Sequence, residues 1–122
     1  MPNPFVHVEL NTANLPKAKS FYKKLFKWKL AEMPMETPGE TYTTIGVGKG
    51  IGGGMMSRLP PGESSAWMPY VLVDDIDAAT KRAVRLGARI SLEVTEVIGM
   101  GWISLIIDPT GAKLGLWEPK DM

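Results

Sequence analysis

The chain has 122 residues, no cysteine, and 14 Lys and Arg against 13 Asp and Glu, which gives a net charge of +1. This length suits one compact domain, and the charge balance predicts no nucleic-acid partner and no anionic membrane partner. The missing cysteine excludes disulfides, thiol nucleophiles and zinc–thiolate sites, and fits a cytoplasmic protein. We expect neither a signal peptide nor a membrane span, since no apolar run approaches roughly 20 residues.

The stretch from Phe5 to Phe26 predicts a strand followed by a helix. Positions 5–10 alternate apolar and polar side chains, and the polar positions are His7 and Glu9. Asn14 lies where a helix N-cap belongs, with Pro16 in the first turn, and apolar residues then recur at helical spacing. The stretch therefore indicates a strand that carries the single histidine, a cap and an amphipathic helix.

The rest of the chain predicts seven more strands and a second helix. The strands are expected at positions 28–33, 41–47, 51–57, 68–73, 89–97, 102–107 and 113–118. Asp74 or Asp75 caps the second helix, and Gly87 closes it in the position that favours a left-handed residue. Asp108 to Gly111 form the turn before the last strand.

The two halves of the chain match without a gap. The difference in residue number between matched positions is constant, and we call it the repeat offset; it is the difference between positions 15 and 76. This repeat offset relates Leu15 to Ile76, Ala18 to Ala79, Leu25 to Leu86, Ile45 to Ile106 and Gly54 to Gly115. Element order and caps stay in register, so the sequence predicts two βαβββ units, each too small to bury its sheet face alone. The first unit is expected at about 4–58, a linker at 59–66 and the second unit at about 67–119.

Two stretches carry a family resemblance: HVELNTANLPKAKSFYKKLF at positions 7–26 and DPTGAKLGLWEP at positions 108–119. With the repeat, the chain resembles the vicinal oxygen chelate superfamily, which includes glyoxalase I, bleomycin-resistance proteins and extradiol dioxygenases. The resemblance implies an α+β fold in which two βαβββ units form curved mixed sheets around a cavity, with helices on the outer faces. It also implies a homodimer.

The resemblance further implies where a metal would bind. Metal-using members place four ligands at positions that correspond here to His7, Gly54, Met68 and Gly115, and the repeat offset relates these positions in pairs. Glycine offers no side chain and a thioether is a poor ligand for Ni, Zn, Fe(II) or Mn. A register error would bring in only Glu9 or Glu118. We therefore expect no catalytic metal and no other cofactor.

The single histidine has two interpretations. It is either a polar residue hydrogen-bonded to a neighbouring strand, or a general base or ligand anchor, since imidazole titrates near pH 6.5. Glu9 lies two residues on, on the same sheet face at about 6–7 Å, where it would orient the imidazole or share a proton. His7 and Glu9 are accordingly the candidate catalytic residues.

Strand alternation predicts the remaining residues of the His7 face. These candidate ligand-binding residues are Met56, Met68, Tyr70, Trp102 and Trp117. Aromatic and Met side chains suit a flat apolar or aromatic ligand, although they would equally fill the space between two sheets. The formal Gly48-x-Gly50-x-x-Gly53 fingerprint has no helix behind it, which argues against a nucleotide site.

Three functions follow, in order of preference. The first is metal-independent binding of a small hydrophobic or aromatic molecule in a cavity containing His7, with or without acid–base chemistry. The second is a metal-dependent glyoxalase- or dioxygenase-type enzyme with non-standard ligands. The third is a non-catalytic dimeric scaffold whose cavity is filled by its own side chains.

Overall fold

A computed structural model describes residues 2–35, 40–59 and 62–121. Within these ranges the elements are β1 (Phe5–Asn11), α1 (Leu15–Leu25), β2 (Lys29–Pro34), β3 (Thr41–Gly46), β4 (Gly53–Met56), β5 (Ala66–Leu72), α2 (Ile76–Arg85), β6 (Arg89–Val97), β7 (Gly101–Ile107) and β8 (Lys113–Pro119). The order βαβββ occurs twice, which confirms the predicted α+β fold. Positions 60 and 61 of the predicted linker lie outside the described residues.

The first compact unit comprises His7–Met68. Its strands lie in the order β2-β3-β4-β1, with β1 and β4 parallel and the other neighbours antiparallel. α1 covers one face of this sheet, because the buried side chains of Leu10, Ile45 and Met55 pack with residues of α1 such as Leu15 and Ala18. Burial of these apolar side chains stabilises the unit.

The second compact unit comprises Met1–Val6 and Pro69–Met122. Its strands lie in the order β6-β7-β8-β5, with β5 and β8 parallel, and α2 packs on one face through a core of Val73, Ile76, Ile106 and Leu116. The start of the chain belongs to this unit because the Leu72 amide donates to the Pro4 carbonyl at 2.9 Å. Shifted by the repeat offset, β1 coincides with β5 residue for residue.

Side-chain caps start both helices. The Asn14 carboxamide accepts a hydrogen bond from the Lys17 amide at 3.1 Å, and the Asp75 carboxylate accepts one from the Ala78 amide at the same distance. The cap of α2 is therefore Asp75 rather than Asp74, and the repeat offset relates it to Asn14. Gly87 has a φ of +108°, as its predicted position after the helix requires. No helix in the described ranges is long and apolar enough to cross a membrane.

One pair of positions related by the repeat differs in hydrogen bonding. The fully buried Thr43 hydroxyl has no hydrogen-bond partner among the described residues. Its counterpart, the equally buried Ser104 hydroxyl, lies 2.9 Å from the Thr80 hydroxyl, which donates in turn to the Ile76 carbonyl at 2.6 Å. Since the Thr80 proton goes to that carbonyl, Ser104 donates to Thr80.

This difference predicts opposite effects on stability. Thr43→Val removes a hydroxyl whose desolvation is uncompensated, and should raise the free energy of unfolding by about 1 kcal/mol. Ser104→Ala removes the hydrogen bond that Ser104 donates to the Thr80 hydroxyl oxygen. This change should lower the free energy of unfolding by about 1 kcal/mol. Urea unfolding of the two variants measures both. A loss of stability in Thr43→Val would contradict the assignment.

Candidate functional site

His7 lies on the face of the first unit's sheet that points away from α1. Leu10 packs on the α1 side, so alternation along β1 directs the side chains of His7 and Glu9 to the opposite face. There the half-buried imidazole meets a residue of β3: its Nε2 lies 2.8 Å from the hydroxyl oxygen of Tyr42. The structure therefore joins His7 to a phenol that the sequence analysis did not identify.

Tyr42 also joins His7 to Glu9. The Glu9 side chain is buried, at 8% exposure, and is hydrogen-bonded to the Tyr42 hydroxyl. Burial, and after it the charge and hydrogen bond of Glu9, raise the pKa of Tyr42 well above its ordinary value, so the phenol stays protonated. The predicted placement of His7 and Glu9 on one face is confirmed, and Tyr42 connects them.

Counting protons assigns the direction of these hydrogen bonds. A carboxylate only accepts, so the single phenol proton of Tyr42 goes to Glu9. The Tyr42 oxygen must then accept from Nε2–H of His7. With Glu9 as a carboxylate, this network places the proton of the neutral imidazole on Nε2.

Burial sets the protonation of His7. Desolvation lowers the pKa of the imidazole below its ordinary value of 6.5, because the charged form loses more hydration than the neutral form. His7 is therefore neutral at pH 7, and a neutral imidazole can accept a proton. The arrangement supplies a base that is oriented by a phenol and a carboxylate.

Glycine at position 54 makes room for the Tyr42 ring. Gly54 lies on β4, paired with Glu9 of β1 and Thr44 of β3, and is buried. A Cβ atom placed there would overlap the hydroxyl oxygen and ring carbons of Tyr42. Tyr42 lies two residues before Thr44, and therefore on the same face of β3 and diagonally opposite Gly54. Knowledge of the pairing between β3 and β4 would have identified Tyr42 as a site residue.

The second unit repeats this arrangement with a different tyrosine. Gly115 of β8 pairs with Tyr70 of β5, and a Cβ atom at Gly115 would overlap carbon atoms of the Tyr70 ring. The Tyr70 side chain is buried, at 4% exposure. A phenol ring thus covers each of the two glycines that the family resemblance puts at metal-ligand positions.

The residues at these positions do not fit a catalytic divalent metal. His7 offers an imidazole nitrogen, but Gly54 and Gly115 have no side chain and tyrosine rings fill the space a side chain would need. Met68 supplies a thioether, a poor ligand for the metals concerned. In the part of the chain that the structure describes, no three His, Cys, Asp or Glu side chains form a metal-binding group.

Glu118 and Trp102 lie on the α2 side of the second unit's sheet. The Glu118 carboxylate accepts a hydrogen bond from the Ile76 amide at 2.9 Å and so helps to cap α2. Trp102 pairs with Glu118 and packs on the α2-side core. The predicted face of Trp102 is therefore wrong: Ile106, four residues on, faces α2 and fixes the alternation of β7. Whether Trp102 contacts a ligand stays a prediction.

The other predicted ligand-binding residues lie on the expected sides of their strands. Met56 is half-buried and pairs with Asn11 of β1, on the His7 face. Met68 and Tyr70 alternate together along β5 and are both buried. Trp117 pairs with Leu72 and points away from α2. Whether these four side chains contact a ligand stays a prediction.

An apolar cleft of about 240 Å³ lies on the other side of the first unit's sheet. Its lining residues are Val8, Trp28, Ile45, Val47, Ile51, Gly52, Gly53 and Trp67. Trp67 is held by a hydrogen bond from its indole Nε1–H to the Tyr22 hydroxyl at 3.1 Å. The sequence analysis identified neither tryptophan as a site residue, although Trp28 begins one predicted strand and Trp67 directly precedes another.

Comparison with known proteins identifies longer relatives. The chain is 32% identical over 115 residues to "Putative glyoxylase CFP32" of Mycobacterium tuberculosis (strain CDC 1551 / Oshkosh), a match that covers 91% of this chain and 44% of that protein. It is 27% identical over 124 residues to "Anthracycline biosynthesis protein DnrV" of Streptomyces peucetius, covering 90% and 45% respectively. The chain thus spans less than half the length of these relatives.

Solved structures share the fold. A hypothetical protein of Bacillus halodurans C-125 superposes with a TM-score of 0.74 at 14% identity, covering 100% of this chain and 98% of that one. Methylmalonyl-CoA epimerase from Mycobacterium tuberculosis gives 0.69 at 22% identity, covering 94% and 87%. The family model of the Glyoxalase/Bleomycin resistance protein/Dioxygenase superfamily matches residues 5–116. With this match over most of its length, and with the duplicated βαβββ fold, the chain belongs to that superfamily.

Proposed function

We propose that the protein binds a small hydrophobic or aromatic molecule, without a metal ion, on the sheet face that carries His7, Glu9 and Tyr42. The observation that supports this most is the 2.8 Å contact between the His7 Nε2 and the Tyr42 hydroxyl. It orients the imidazole at a position where the superfamily resemblance expects a site residue. The neighbouring Met56 gives the same face an adaptable apolar side chain.

The same group of residues can exchange a proton with the bound molecule. The neutral His7 imidazole takes a proton from an acidic C–H or O–H bond of the ligand, and the electron pair of that bond stays on the ligand. The imidazolium keeps its Nε2–H bond to Tyr42, whose own hydroxyl continues to donate to Glu9. The Glu9 carboxylate then stabilises the new positive charge through the phenol, in a buried environment of low dielectric constant.

The names of the relatives guide the choice of ligand class. The Streptomyces peucetius relative is named for anthracycline biosynthesis, which makes a planar aromatic probe a suitable first ligand. A phenolic or enolisable aromatic molecule also offers the acidic proton that His7 would accept. Hydroxyanthraquinone, naphthol and naphthalene form a graded panel, since the last lacks an acidic proton.

Ligand binding to three variants tests the proposal. His7→Ala should weaken binding of the hydroxylated probes about tenfold or more, and Tyr42→Phe several-fold, because a lost hydrogen bond to a ligand-orienting group costs about 1–2 kcal/mol. Isothermal titration calorimetry measures each dissociation constant. Naphthalene should bind His7→Ala and the unchanged protein with similar affinity.

Tyr22→Phe, the third variant, is the matched control for these measurements. It removes a phenol hydroxyl from the same unit, but this hydroxyl holds Trp67 beside the apolar cleft rather than His7. Binding at the His7 face should therefore be unchanged in Tyr22→Phe. Affinity that falls in Tyr22→Phe and is unaffected in His7→Ala would move the ligand to the cleft and reject the proposal.

A further inference from the structure

The two tyrosines that cover Gly54 and Gly115 come from different strands. Tyr42 lies on β3, whereas Tyr70 lies on β5. The repeat offset relates Tyr42 to Ile103, and it relates Tyr70 to Glu9. Neither tyrosine is therefore the repeat of the other. Each unit therefore fills the space above its glycine with a ring that comes from a different strand of the unit.

We propose that the Tyr42 ring and a side chain at position 54 exclude one another, so that the His7 face cannot gain a metal ligand at position 54 while Tyr42 is present and takes an organic molecule instead of a divalent cation. This inference rests on the proposed function of the same face. Its test measures stability and metal binding, so it fails or succeeds independently of whether an organic probe binds.

The overlap that supports the proposal involves the ring as well as its hydroxyl. A Cβ atom at position 54 would overlap Tyr42 Oη and Cζ, and would approach Cε2 to 2.5 Å. Real Cβ atoms essentially never come within 3.0 Å of another group. Removing only the hydroxyl would leave the ring carbons in the way. Tyr42→Phe and Tyr42→Ala therefore separate the effect of the hydrogen bond from that of the ring.

Two donors suited to a metal already lie beside position 54. Glu9 is its direct partner in the pairing of β1 with β4, and His7 lies two residues before Glu9 on the same face. A carboxylate introduced at position 54 would join one imidazole and one carboxylate. One nitrogen and two carboxylate donors form a set that binds Zn²⁺, Co²⁺ or Ni²⁺. The space for that carboxylate exists only once the Tyr42 ring is gone.

The first experiment is a set of melting temperatures for Gly54→Ala in three backgrounds. With Tyr42 unchanged, or replaced by Phe, Gly54→Ala should lower the melting temperature by about 10 °C, the size expected for an overpacked core in a domain of this length. In the Tyr42→Ala background the same change should alter it by no more than about 3 °C. An equal loss in all three backgrounds, or no loss with Tyr42 present, would overturn the proposal.

The second experiment titrates Zn²⁺ and Co²⁺ into the unchanged protein and into the double variant Tyr42→Ala/Gly54→Glu. Only the double variant should bind one equivalent of either metal ion, with an affinity at least a hundredfold higher than that of the unchanged protein. Its complex with Co²⁺ should show the absorption bands of protein-bound Co²⁺. Adding His7→Ala should abolish this binding. Stoichiometric Zn²⁺ bound by the unchanged protein through His7 would overturn the proposal. So would a folded double variant that binds no better than the unchanged protein.

Discussion

Replacing Gly53 with alanine is expected to lower the free energy of unfolding by about 3 kcal/mol or more. Gly53 pairs with Val8 where β1 and β4 run parallel. A Cβ atom there would overlap the Val8 carbonyl oxygen and lie 3.2 Å from its carbonyl carbon. Both are backbone atoms of the sheet ladder, so relief requires moving one strand from the other, at the upper end of the cost of overpacking.

Gly46→Ala is the matched control for Gly53→Ala. Gly46 ends the neighbouring strand β3, and a Cβ atom there would lie 3.6 Å from the Lys29 carbonyl oxygen and 3.7 Å from the Lys29 Cβ, which are ordinary contacts. Its replacement should change stability by less than about 1 kcal/mol. Urea unfolding followed by circular dichroism compares the two. Equal stability of both variants would contradict the close approach of β1 and β4.

Met55→Ala should be the most destabilising truncation in the first unit's core. The Met55 side chain is fully buried with Leu10 and Ile45, and its loss removes apolar contact and leaves a cavity, at a cost of about 2–5 kcal/mol. Met56, the next residue of β4, is half-buried on the His7 face. Met56→Ala should cost about 1 kcal/mol, since less apolar area is lost there.

The pair of methionine variants also checks the sheet faces. Both changes remove the same atoms from adjacent residues, so the difference in their unfolding free energies reports only where each side chain lies. A larger loss in Met56→Ala would mean that the faces of β4 are reversed. In that case His7, Glu9 and Tyr42 would lie on the α1 side, which the proposed site does not allow.

Much of the fold could be predicted because its signals are local. The caps Asn14 and Asp75 and the turn at Gly87 depend on neighbouring residues, and the repeat offset then related the two units. The strand bounds differ by one or two residues at most ends. The largest differences are in β4, predicted as 51–57 and observed as Gly53–Met56, and in β5, predicted as 68–73 and observed as Ala66–Leu72.

The site was harder to predict because it depends on pairing between distant strands. His7 and Glu9 share a face by alternation alone, so one sequence suffices to pair them. Tyr42 reaches His7 from β3, a strand distant in sequence, and only the register of β3 with β4 brings it over Gly54. The predicted face of Trp102 was wrong for a related reason. β7 is apolar on both faces, so its own sequence does not show which face is buried, and the packing of Ile106 against α2 decides it.

The most direct measurement of the central claim is a nitrogen-15 NMR titration of the single histidine. We expect a neutral ring at pH 7 with the proton on Nε2, a titration midpoint below 6.5, and resonances that do not move when Zn²⁺ or Ni²⁺ is added. In Tyr42→Phe the preference for the Nε2–H tautomer should weaken. The claim is that Tyr42 orients His7 through a hydrogen bond and that His7 binds no metal ion. A ring protonated on Nδ1, or nitrogen resonances that shift when one equivalent of metal is added, would contradict it.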